Sequence, residues 1–574
     1  MFLDADQFQT SILTILAGAA LAGLIVFQRG APRTTVRRWG VRLLGALAVV
    51  ALASWLNFGK LDVIFTDAPG QTAGAPGRKK IEHHVPFHFH EFFHYYVGSK
   101  YFRELGYEGL YDCTALADAQ NAEEQGVRPR VSGYVRDLDD VLRDKTYEEA
   151  KAHCHDSILP TIKPARWASF RADLRELQSL VPDDWWGGAV FDAGFNPPPS
   201  WIVVGGTISN IIPIRAAGLP TFLLATSLDM LLIVACFLAV RRAFGAAPAA
   251  MAAIFFGASF IAAYGWNGGA YLRYTWFAAV VFGLCAVRFG RWALAGAFFA
   301  AATCDRVFPI GFAIGAVLPV AYRALGSQED RRRLLRFGAG FGGTLGVLVL
   351  LSVVLFGLTP WEVFFARILR HGDVYYVMHI GLKKVLNWGP WVPSQDFRWH
   401  NGLRNFHDWN LKLHANWAAM RAIVIPVQLA AAASAALAGV RRRPYESALL
   451  CGVFAMFFFN IPANYYYVVL VLVPALLLRS AMTAPRAGAR LREYAALIGF
   501  FVFWMMTLLA SRLSGDDIVY NHIICVWLLF FLVTWVVLWI LPRRPVHALR
   551  PLRDALQRWR ARRLSAGTAN AQQA

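Results

Sequence analysis

The sequence predicts an all-α polytopic membrane protein with about thirteen transmembrane helices and two extracytoplasmic helical segments. Its 574 residues are 57% hydrophobic and only 16% charged, and the mean hydropathy is +0.41. Apolar runs of roughly 15 to 22 residues recur along the chain, close to the length that crosses a bilayer as a helix. Arginines cluster in the short stretches between these runs, as in the cytoplasmic loops of membrane proteins.

The apolar runs define the predicted spans. They lie near 8–27, 41–58, 219–240, 248–265, 271–288, 292–304, 308–323, 338–357, 420–439, 446–461, 465–479, 494–512 and 519–541. The predicted organisation is two N-terminal helices (1–58), an extracytoplasmic segment (59–218), transmembrane helices (219–357), a second extracytoplasmic segment (358–418), C-terminal transmembrane helices (419–541) and a basic cytoplasmic tail (542–574). The run at 201–214 is short and interrupted by glycine, so we expect a helix lying at the membrane interface.

The formal net charge of +20 indicates membrane topology and not a polyanionic partner. The basic residues fall in short clusters between apolar runs, which places those clusters in the cytoplasm. We therefore expect no nucleic-acid partner. Both long polar segments, 59–218 and 358–418, are expected to lie on the extracytoplasmic side of the bilayer. Abundant Ala, Gly and Arg with few Lys favour a bacterial source. The expected location is the bacterial inner membrane, with a site facing the periplasm or the cell exterior.

A polar stretch from His83 to Cys113 is rich in histidine, aromatic and acidic residues. A helix here places His90, Glu91, His94 and Tyr95 within about one turn, so that a carboxylate and two imidazoles face one site. The stretch also matches H-E-x-x-H, in which two helical histidines bind zinc and the glutamate acts as base. A zinc protease needs a third ligand and an open water position, and no convincing ligand motif follows. A structural histidine cluster is the other alternative.

Asp305 and Arg306 sit between two short apolar runs. They form either a solvated hairpin turn with an internal ion pair or a site for an anionic headgroup at membrane depth. We favour the second interpretation, because the guanidinium of arginine matches a phosphate with a fork of donors.

Other acidic residues lie beside aromatic residues or inside a span. Asp183, Asp184 and Asp192 flank the stretches WWGG and FDAGFN. Carboxylates beside tryptophans are typical of sugar sites, although solvated loop acids are common too. Asp229 lies inside the third predicted span. A carboxylate is costly there unless it is paired, so we expect it to have a partner.

Cys113 and Cys154 are the two cysteines, of seven, that fall in the large polar segment. If this segment lies outside the cytoplasm, a disulfide between them is expected, because thiols oxidise in that compartment. The other five cysteines lie in apolar runs and are expected to pack as small hydrophobic residues.

The order of these features resembles the GT-C superfamily of polyprenyl-phosphate-sugar glycosyltransferases, in particular the family-87-like bacterial mannosyltransferases. The resemblance covers roughly residues 41–480. It is carried by Glu91, His94, Tyr95, Tyr96, Gly106-Tyr107, Leu110-Tyr111, Asn196 to Pro199, Asn267-Gly268-Gly269, Ala295-Gly296, Arg306 and Pro309. The chain departs from the family pattern where Gly269 replaces Gln, Arg306 replaces Lys and Glu91 replaces Asp, and an extra span precedes the family's first.

The resemblance implies an inverting transferase that moves a sugar from a polyprenyl-phosphate donor to a glycan, lipid or protein acceptor at the outer face of the bilayer. Glu91 would be the general base, with His90 and His94 orienting it, and Asp184 and Asp192 are the other candidate catalytic residues. The candidate residues for the donor phosphate are Arg306, Asn267, Tyr95 and His379. No cofactor is assigned, and a divalent cation held by Glu91 and nearby histidines stays open.

Two other classes of function remain. A flippase or transporter of a lipid-linked substrate would have internal repeats or broken spans in matching halves, which the sequence does not reveal. A membrane metalloprotease would use the H-E-x-x-H match. The sequence does not identify the sugar, the acceptor or the length of the carrier lipid.

Overall fold

Helices dominate the computed structural model of the chain. The model describes residues 5–28, 33–67, 80–85, 87–131, 133–139, 143–181, 186, 189–190, 194–214, 218–259, 261, 263–371, 374–391, 398–399, 402–403, 406–514 and 517–540. All structural statements below concern these residues.

Among the described residues, seven helices are long and apolar enough to cross a membrane, which indicates a multi-pass membrane protein. They are Ala5–Phe27, Leu219–Phe244, Gln328–Phe356, Arg421–Gly439, Asn464–Thr483, Ala487–Leu513 and Asp517–Ile540. The segment Asn464–Thr483 begins with a 3₁₀ turn, Asn464–Val471, before it becomes α-helical. Each of the seven coincides with a predicted span.

The remaining predicted spans also contain helices, but these are shorter or start with a basic turn. Five are apolar helices of 10–17 residues: Ala246–Gly257, Thr275–Arg288, Trp292–Asp305, Ile310–Ala324 and Pro444–Phe459. A helix of that length reaches about 15–25 Å, less than the ~30 Å of a bilayer's apolar layer. Arg33–Trp55 is long, but its first turns carry several arginines. The described helices therefore include seven of full spanning length, and they leave the predicted number of thirteen spans undecided.

The first polar segment folds into shorter helices around its own apolar core. These helices are Phe89–Glu91, Phe92–Val97, Gly98–Lys100, Phe102–Leu105, Gly109–Gln125, Tyr147–His153, Cys154–Ile158, Leu159–Thr161, Pro164–Ser179 and Pro199–Ile211. A disulfide joins Cys113 to Cys154, as the sequence predicts. Nζ of Lys100 forms a buried ion pair with Asp173 at 2.6 Å, which fixes the first helices against Pro164–Ser179.

The second polar segment and two connecting turns add short helices: Asn57–Gly59, Tyr264–Asn267, Thr359–His371, Leu382–Leu386, Trp388–Trp391 and Phe406–Ala419. Three antiparallel two-stranded hairpins also occur: Asp62–Asp67 with Lys80–Val85, Tyr134–Arg136 with Asp144–Thr146, and Arg398–Trp399 with Gly402–Leu403. These hairpins are small additions to a structure that is about 81% helical, so the predicted all-α class is confirmed. The first hairpin follows a recognisable pattern, since two short runs with β-branched residues flank a Gly/Pro-rich stretch.

Two glycines bring helices Trp292–Asp305 and Gln328–Phe356 into backbone contact. A Cβ added at Gly296 would overlap the carbonyl oxygen of Phe337, and one at Gly340 would overlap that of Ala293. Small residues at a helix crossing permit this close approach inside a membrane. The contact holds the first of these helices, which ends at Asp305 beside Arg306, in a fixed position.

The interface between the polar segment and the helix bundle is joined by hydrogen bonds from side chains to backbone oxygens. Oγ of Ser200 donates to the carbonyl of Cys304 at 2.7 Å, and the hydroxyl of Tyr271 donates to the carbonyl of Gly205 at 2.7 Å. Helix Pro199–Ile211 is thereby tied to the 268–274 loop and to the last turn of helix Trp292–Asp305, just before Arg306.

Candidate functional site

Glu91 forms an ion pair with Arg273, a residue of the 268–274 loop. The side chains of both are largely buried, with exposed fractions of 11% for Glu91 and 9% for Arg273. Nη2 of Arg273 donates to Oε1 of Glu91, and Nη1 donates to the side-chain oxygen of Asn267. Among the described residues, no hydrogen bond reaches Oε2 of Glu91. One oxygen of the carboxylate is therefore held in place, and the other remains available to a bound molecule.

Local backbone contacts position both partners of this ion pair. The amide of His88 donates to the carbonyl of Gly269 at 2.8 Å, which joins the start of the 89–91 helix to the 268–274 loop. Nδ1 of His88 then caps this helix by accepting a hydrogen bond from the amide of Glu91 at 3.3 Å. Burial lowers the pKa of His88 well below its usual range, and the Arg273 cation lowers it further. The imidazole is therefore neutral near pH 7, as an acceptor must be.

Asp229 fixes the other side of the 268–274 loop. Its two carboxylate oxygens accept hydrogen bonds from the amides of Arg273 at 2.8 Å and of Tyr274 at 3.1 Å. The partner expected for Asp229, as a carboxylate inside a span, is therefore the backbone of this loop. Asp229 positions Arg273 through its main chain, while Glu91 and Asn267 hold its side chain.

The helix that carries Glu91 continues as a π-helical turn, Phe92–Val97. A π-turn is wider than an α-turn and occurs often at functional sites, and it brings residues four apart nearly one above the other. Tyr95 consequently lies on the side of Glu91, with its ring under the guanidinium of Arg306 at 5.2 Å. Burial raises the pKa of Tyr95 well above its usual range, so the phenol stays protonated and can donate a hydrogen bond.

Arg306 lies at the loop between helices Trp292–Asp305 and Ile310–Ala324. Its Nε donates to the hydroxyl of Tyr466 at 3.0 Å, and its Nη1 donates to the carbonyl and to Oδ1 of Asp305 at 2.8 and 2.9 Å. Thr275 donates to the other oxygen of Asp305. Nη2 of Arg306 donates to none of the described residues. Burial lowers the pKa of Arg306, but Tyr466, Tyr95 and Asp305 raise it by more, so the guanidinium stays charged.

Two adjacent tyrosines connect the two arginines. The guanidinium of Arg273 lies 4.3 Å from the ring centre of Tyr465, and that of Arg306 lies 5.9 Å from the ring of Tyr466. The centres of the two tyrosine rings are 4.6 Å apart. We call Glu91, Tyr95, Arg273, Arg306, Tyr465 and Tyr466 the charged cluster. Tyr95, Tyr465 and Tyr466 are partly buried and the side chain of Arg306 is 11% exposed, so only a small part of the cluster is accessible from outside.

The two histidines beside Glu91 take different positions. Nε2 of His94 lies 2.7 Å from the hydroxyl of Tyr111 and 3.0 Å from the carbonyl oxygen of Ala189, which faces it into the core of the polar segment. His90 is half-buried, and its ring centre lies 6.3 Å from that of His94. The π-turn separates His94 from the face that Glu91 and Tyr95 share. The described residues contain no group of three or more His, Cys, Asp or Glu that could hold a metal ion.

The other candidates from the sequence lie beside the cluster or outside the described residues. Asn267 contacts Arg273 directly and donates to the carbonyl of Ile261. His379 pairs as a β-bridge with Ala463, two residues before the tyrosine pair, so it supports the segment that carries them. Asp184 and Asp192 lie outside the described residues.

Sequence reasoning missed Arg273 as a member of this site, whereas the turn that contains Asn460, Asn464 and Tyr465 to Tyr467 can be interpreted from the sequence as an outer turn that lines a cavity. The signal for Arg273 in the sequence was the presence of an arginine in the loop GWNGGAYLRY. An arginine at the end of an apolar span usually marks the cytoplasmic side. Arg273 lies in the loop opposite such a cluster, which is the feature that could have identified it.

Comparisons of the chain with protein-family models, with curated proteins and with solved structures gave no match. The chemistry of the charged cluster is therefore argued from its own geometry. It combines a carboxylate with one oxygen unoccupied by the described residues, a guanidinium with a donor directed to none of them, and phenol donors between the two.

Proposed function

We propose that the chain is an integral-membrane glycosyltransferase of the GT-C type. It would transfer a sugar from a polyprenyl-phosphate donor to a hydroxyl of a glycan, lipid or protein acceptor on the extracytoplasmic face of a bacterial inner membrane. The observation that carries the proposal is the charged cluster, in which Arg306 lies over the ring of Tyr95, four residues after Glu91. An inverting transfer needs a base for the acceptor and a cation for the leaving phosphate, and the cluster contains both.

In the proposed reaction, Oε2 of Glu91 takes the proton of the acceptor hydroxyl as the acceptor oxygen attacks the anomeric carbon of the sugar. The bond between this carbon and the phosphate oxygen breaks, and the lipid phosphate leaves with the electron pair. Attack from the side opposite the phosphate inverts the anomeric configuration. General-base assistance of this kind contributes roughly 10²–10⁴-fold to the rate.

Arg306 would neutralise the charge that develops on the leaving phosphate. Its Nη2 provides the donor, and Tyr466 and Asp305 hold the rest of the guanidinium. Fixed donors at the place where charge develops are typically the largest single contribution to such catalysis. Arg273 has a different role, since its side chain is already occupied by Glu91 and Asn267. It would orient the base without contacting the donor.

The experiment that tests this proposal begins with the lipids that co-purify with the full-length protein, identified by mass spectrometry. The protein is then incubated with a panel of synthetic polyprenyl-phosphate sugars, and transfer to endogenous membrane glycans is followed by release of polyprenyl phosphate. We expect turnover with at least one donor and an inverted anomeric configuration in the product. Translocation of an intact donor across proteoliposomes, without cleavage, would instead establish a flippase and overturn the proposal.

A further inference from the structure

A cavity of about 220 Å³ lies among the arginines at the end of the bundle opposite the charged cluster. Helix Pro444–Phe459 extends from this cavity toward the charged cluster. Its first turn borders the cavity, and the chain after its last turn leads to Tyr465 and Tyr466. Sixteen residues of helix correspond to about 24 Å. The cavity is therefore a second site, with no residue in common with the first.

Positive charge exceeds negative charge around this cavity. Its lining includes Arg441, Arg442, Arg443 and Arg492 against two carboxylates, Glu446 and Glu493. One carboxylate is matched within the protein, since Nη1 of Arg442 forms an ion pair with Glu493. The other accepts hydrogen bonds from neutral donors, the hydroxyl of Ser480 at 2.5 Å and the amide of Arg443 at 3.3 Å. Among the described residues, neither Arg443 nor Arg492 forms a salt bridge.

Further arginines lie close to the residues that line the cavity. Arg479, next to Ser480 in the chain, is close enough to Arg37, Arg288 and Arg443 to experience their repulsion. Its buried Nε atom has no hydrogen-bond partner among the described residues. Like charges held close together repel one another, and an anion bound in the adjacent cavity would offset this repulsion.

The lining is also arranged before any ligand binds. The guanidinium of Arg442 is stacked on the ring of Trp539, with its carbon 3.8 Å from the ring centre. The hydroxyl-bearing residues Ser480 and Thr483 line the same cavity. Its volume is several times the ~30 Å³ that one water molecule occupies in the liquid, which leaves space for a tetrahedral oxyanion. The hydroxyls of Ser480 and Thr483 already donate to Oε1 of Glu446 and to the carbonyl of Arg479, so the arginine forks are the groups that would bind the phosphate.

We propose that this cavity binds a phosphate group, supplied either by an anionic phospholipid of the surrounding membrane or by a soluble phosphate ester. Its position at the ends of apolar helices favours the lipid, because basic pockets between transmembrane helices bind the headgroups of anionic lipids. The site does not depend on the proposed transferase reaction, and binding alone tests it.

The test uses the full-length protein in nanodiscs of phosphatidylcholine doped with phosphatidylglycerol, with bound lipid counted by native mass spectrometry after release into neutral detergent. We expect phosphatidylglycerol to be retained and phosphatidylcholine to be lost. The double variant Arg443→Ala/Arg492→Ala should retain phosphatidylglycerol about 25-fold less tightly, at roughly fivefold for each arginine removed near a membrane surface. The matched control is Arg332→Ala/Arg336→Ala, which removes two exposed arginines elsewhere in the chain and should change little.

A second arm identifies the source of the phosphate. Inorganic phosphate and glycerol phosphate are added at millimolar concentration, against sodium chloride of equal ionic strength, and thermal stability is followed. Stabilisation by these anions without retention of phosphatidylglycerol would assign the site to a soluble phosphate. If the alanine variant fails to fold, Arg443→Lys/Arg492→Lys keeps the charge without the fork and should lose binding severalfold. Equal retention of phosphatidylglycerol by the cavity and control variants, with no response to soluble phosphate, would overturn the proposal.

Discussion

The carboxylate of Glu91 is ion-paired with the guanidinium of Arg273, 182 positions later in the chain. Both side chains are about nine-tenths buried, so each charge has little hydration and depends on its partner for stabilisation. The pair therefore joins the polar segment to the helix bundle and at the same time orients the proposed base. These two consequences can be measured separately.

The variant Arg273→Gln should destabilise the protein. Removing one partner leaves an uncompensated buried charge, which typically costs about 3–5 kcal/mol. The midpoint of thermal unfolding in detergent should fall clearly, and adding Glu91→Gln to the same chain should restore part of it. The control Arg323→Gln removes a more exposed ion pair with Asp330, worth about 1 kcal/mol or less. An equal loss in both variants would contradict the special role of the Glu91 pair.

Glu91→Gln should abolish most of the transfer activity while the donor still binds. The amide keeps the shape of the side chain but cannot accept the proton, so the rate should fall by at least about a hundredfold. Single-turnover measurements with bound donor separate this effect from binding. Glu123→Gln changes an exposed acid of the same polar segment and should leave the rate unchanged. An active Glu91→Gln protein would move the search for the base to Asp184 and Asp192.

Arg306→Ala should weaken binding of the donor lipid, by about ten- to a hundredfold for the loss of a charged hydrogen bond. Arg306→Lys should recover part of this affinity, because the charge remains although the fork is lost. Equilibrium binding of a labelled polyprenyl phosphate gives the measurement, with Arg336→Ala as the exposed control. Unchanged affinity in the alanine variant would leave Arg306 as a structural residue of its loop.

Replacing Cys113 by serine should destabilise the first polar segment. The disulfide closes a loop with a sequence separation of 41 residues, for which the chain-entropy model gives about 3–4 kcal/mol. Limited proteolysis under native conditions should cut this segment faster in the variant and in the reduced protein. Cys451→Ser, which alters a cysteine outside the disulfide, provides the comparison. Peptide mapping that finds both thiols free in the untreated protein would remove the premise.

The thermal stability of the protein should rise as the pH increases from about 7 to about 10. Burial lowers the pKa of Lys384 from 10.5 to about 7. Between these values the unfolded chain binds a proton that the folded protein lacks, so the free energy of unfolding increases with pH. Lys384→Met should flatten this part of the profile, whereas Lys412→Met, at an exposed lysine, should not. A profile that keeps its slope in Lys384→Met would assign the dependence to other groups.

The seven long apolar helices could be predicted because a long apolar run with flanking charge has few other outcomes in a membrane protein. The site was predicted only in part. Glu91, Tyr95 and Arg306 could be identified because each is a polar residue close to an apolar run. Arg273 could not be identified, because its role depends on a contact with Glu91, 182 positions earlier in the chain. Hydropathy carries no information on contacts between such distant residues.

The structure places His94 away from the expected site for a different reason. The expectation that His94 faces the same site as Glu91 assumes an α-helix from residue 90 to 95, where residues three and four apart share a face. The π-turn at Phe92–Val97 changes that relation and keeps only Tyr95 beside Glu91. The sequence of this aromatic-rich stretch contains no pattern from which a π-helical turn could be predicted.

The glycine contact between Trp292–Asp305 and Gln328–Phe356 has a consequence for genetics. The second helix has the smallest buried share of the seven long apolar helices, at 6%, so most of its positions should accept any apolar replacement. Gly340 and its counterpart Gly296 should not, because a methyl group there pushes apart two backbones, one of which ends at the residue that holds Arg306. Saturation mutagenesis should therefore find Gly296 and Gly340 as intolerant of substitution as the ionisable residues of the charged cluster. A loss-of-function allele at either position would imitate a catalytic defect while leaving every reacting group intact.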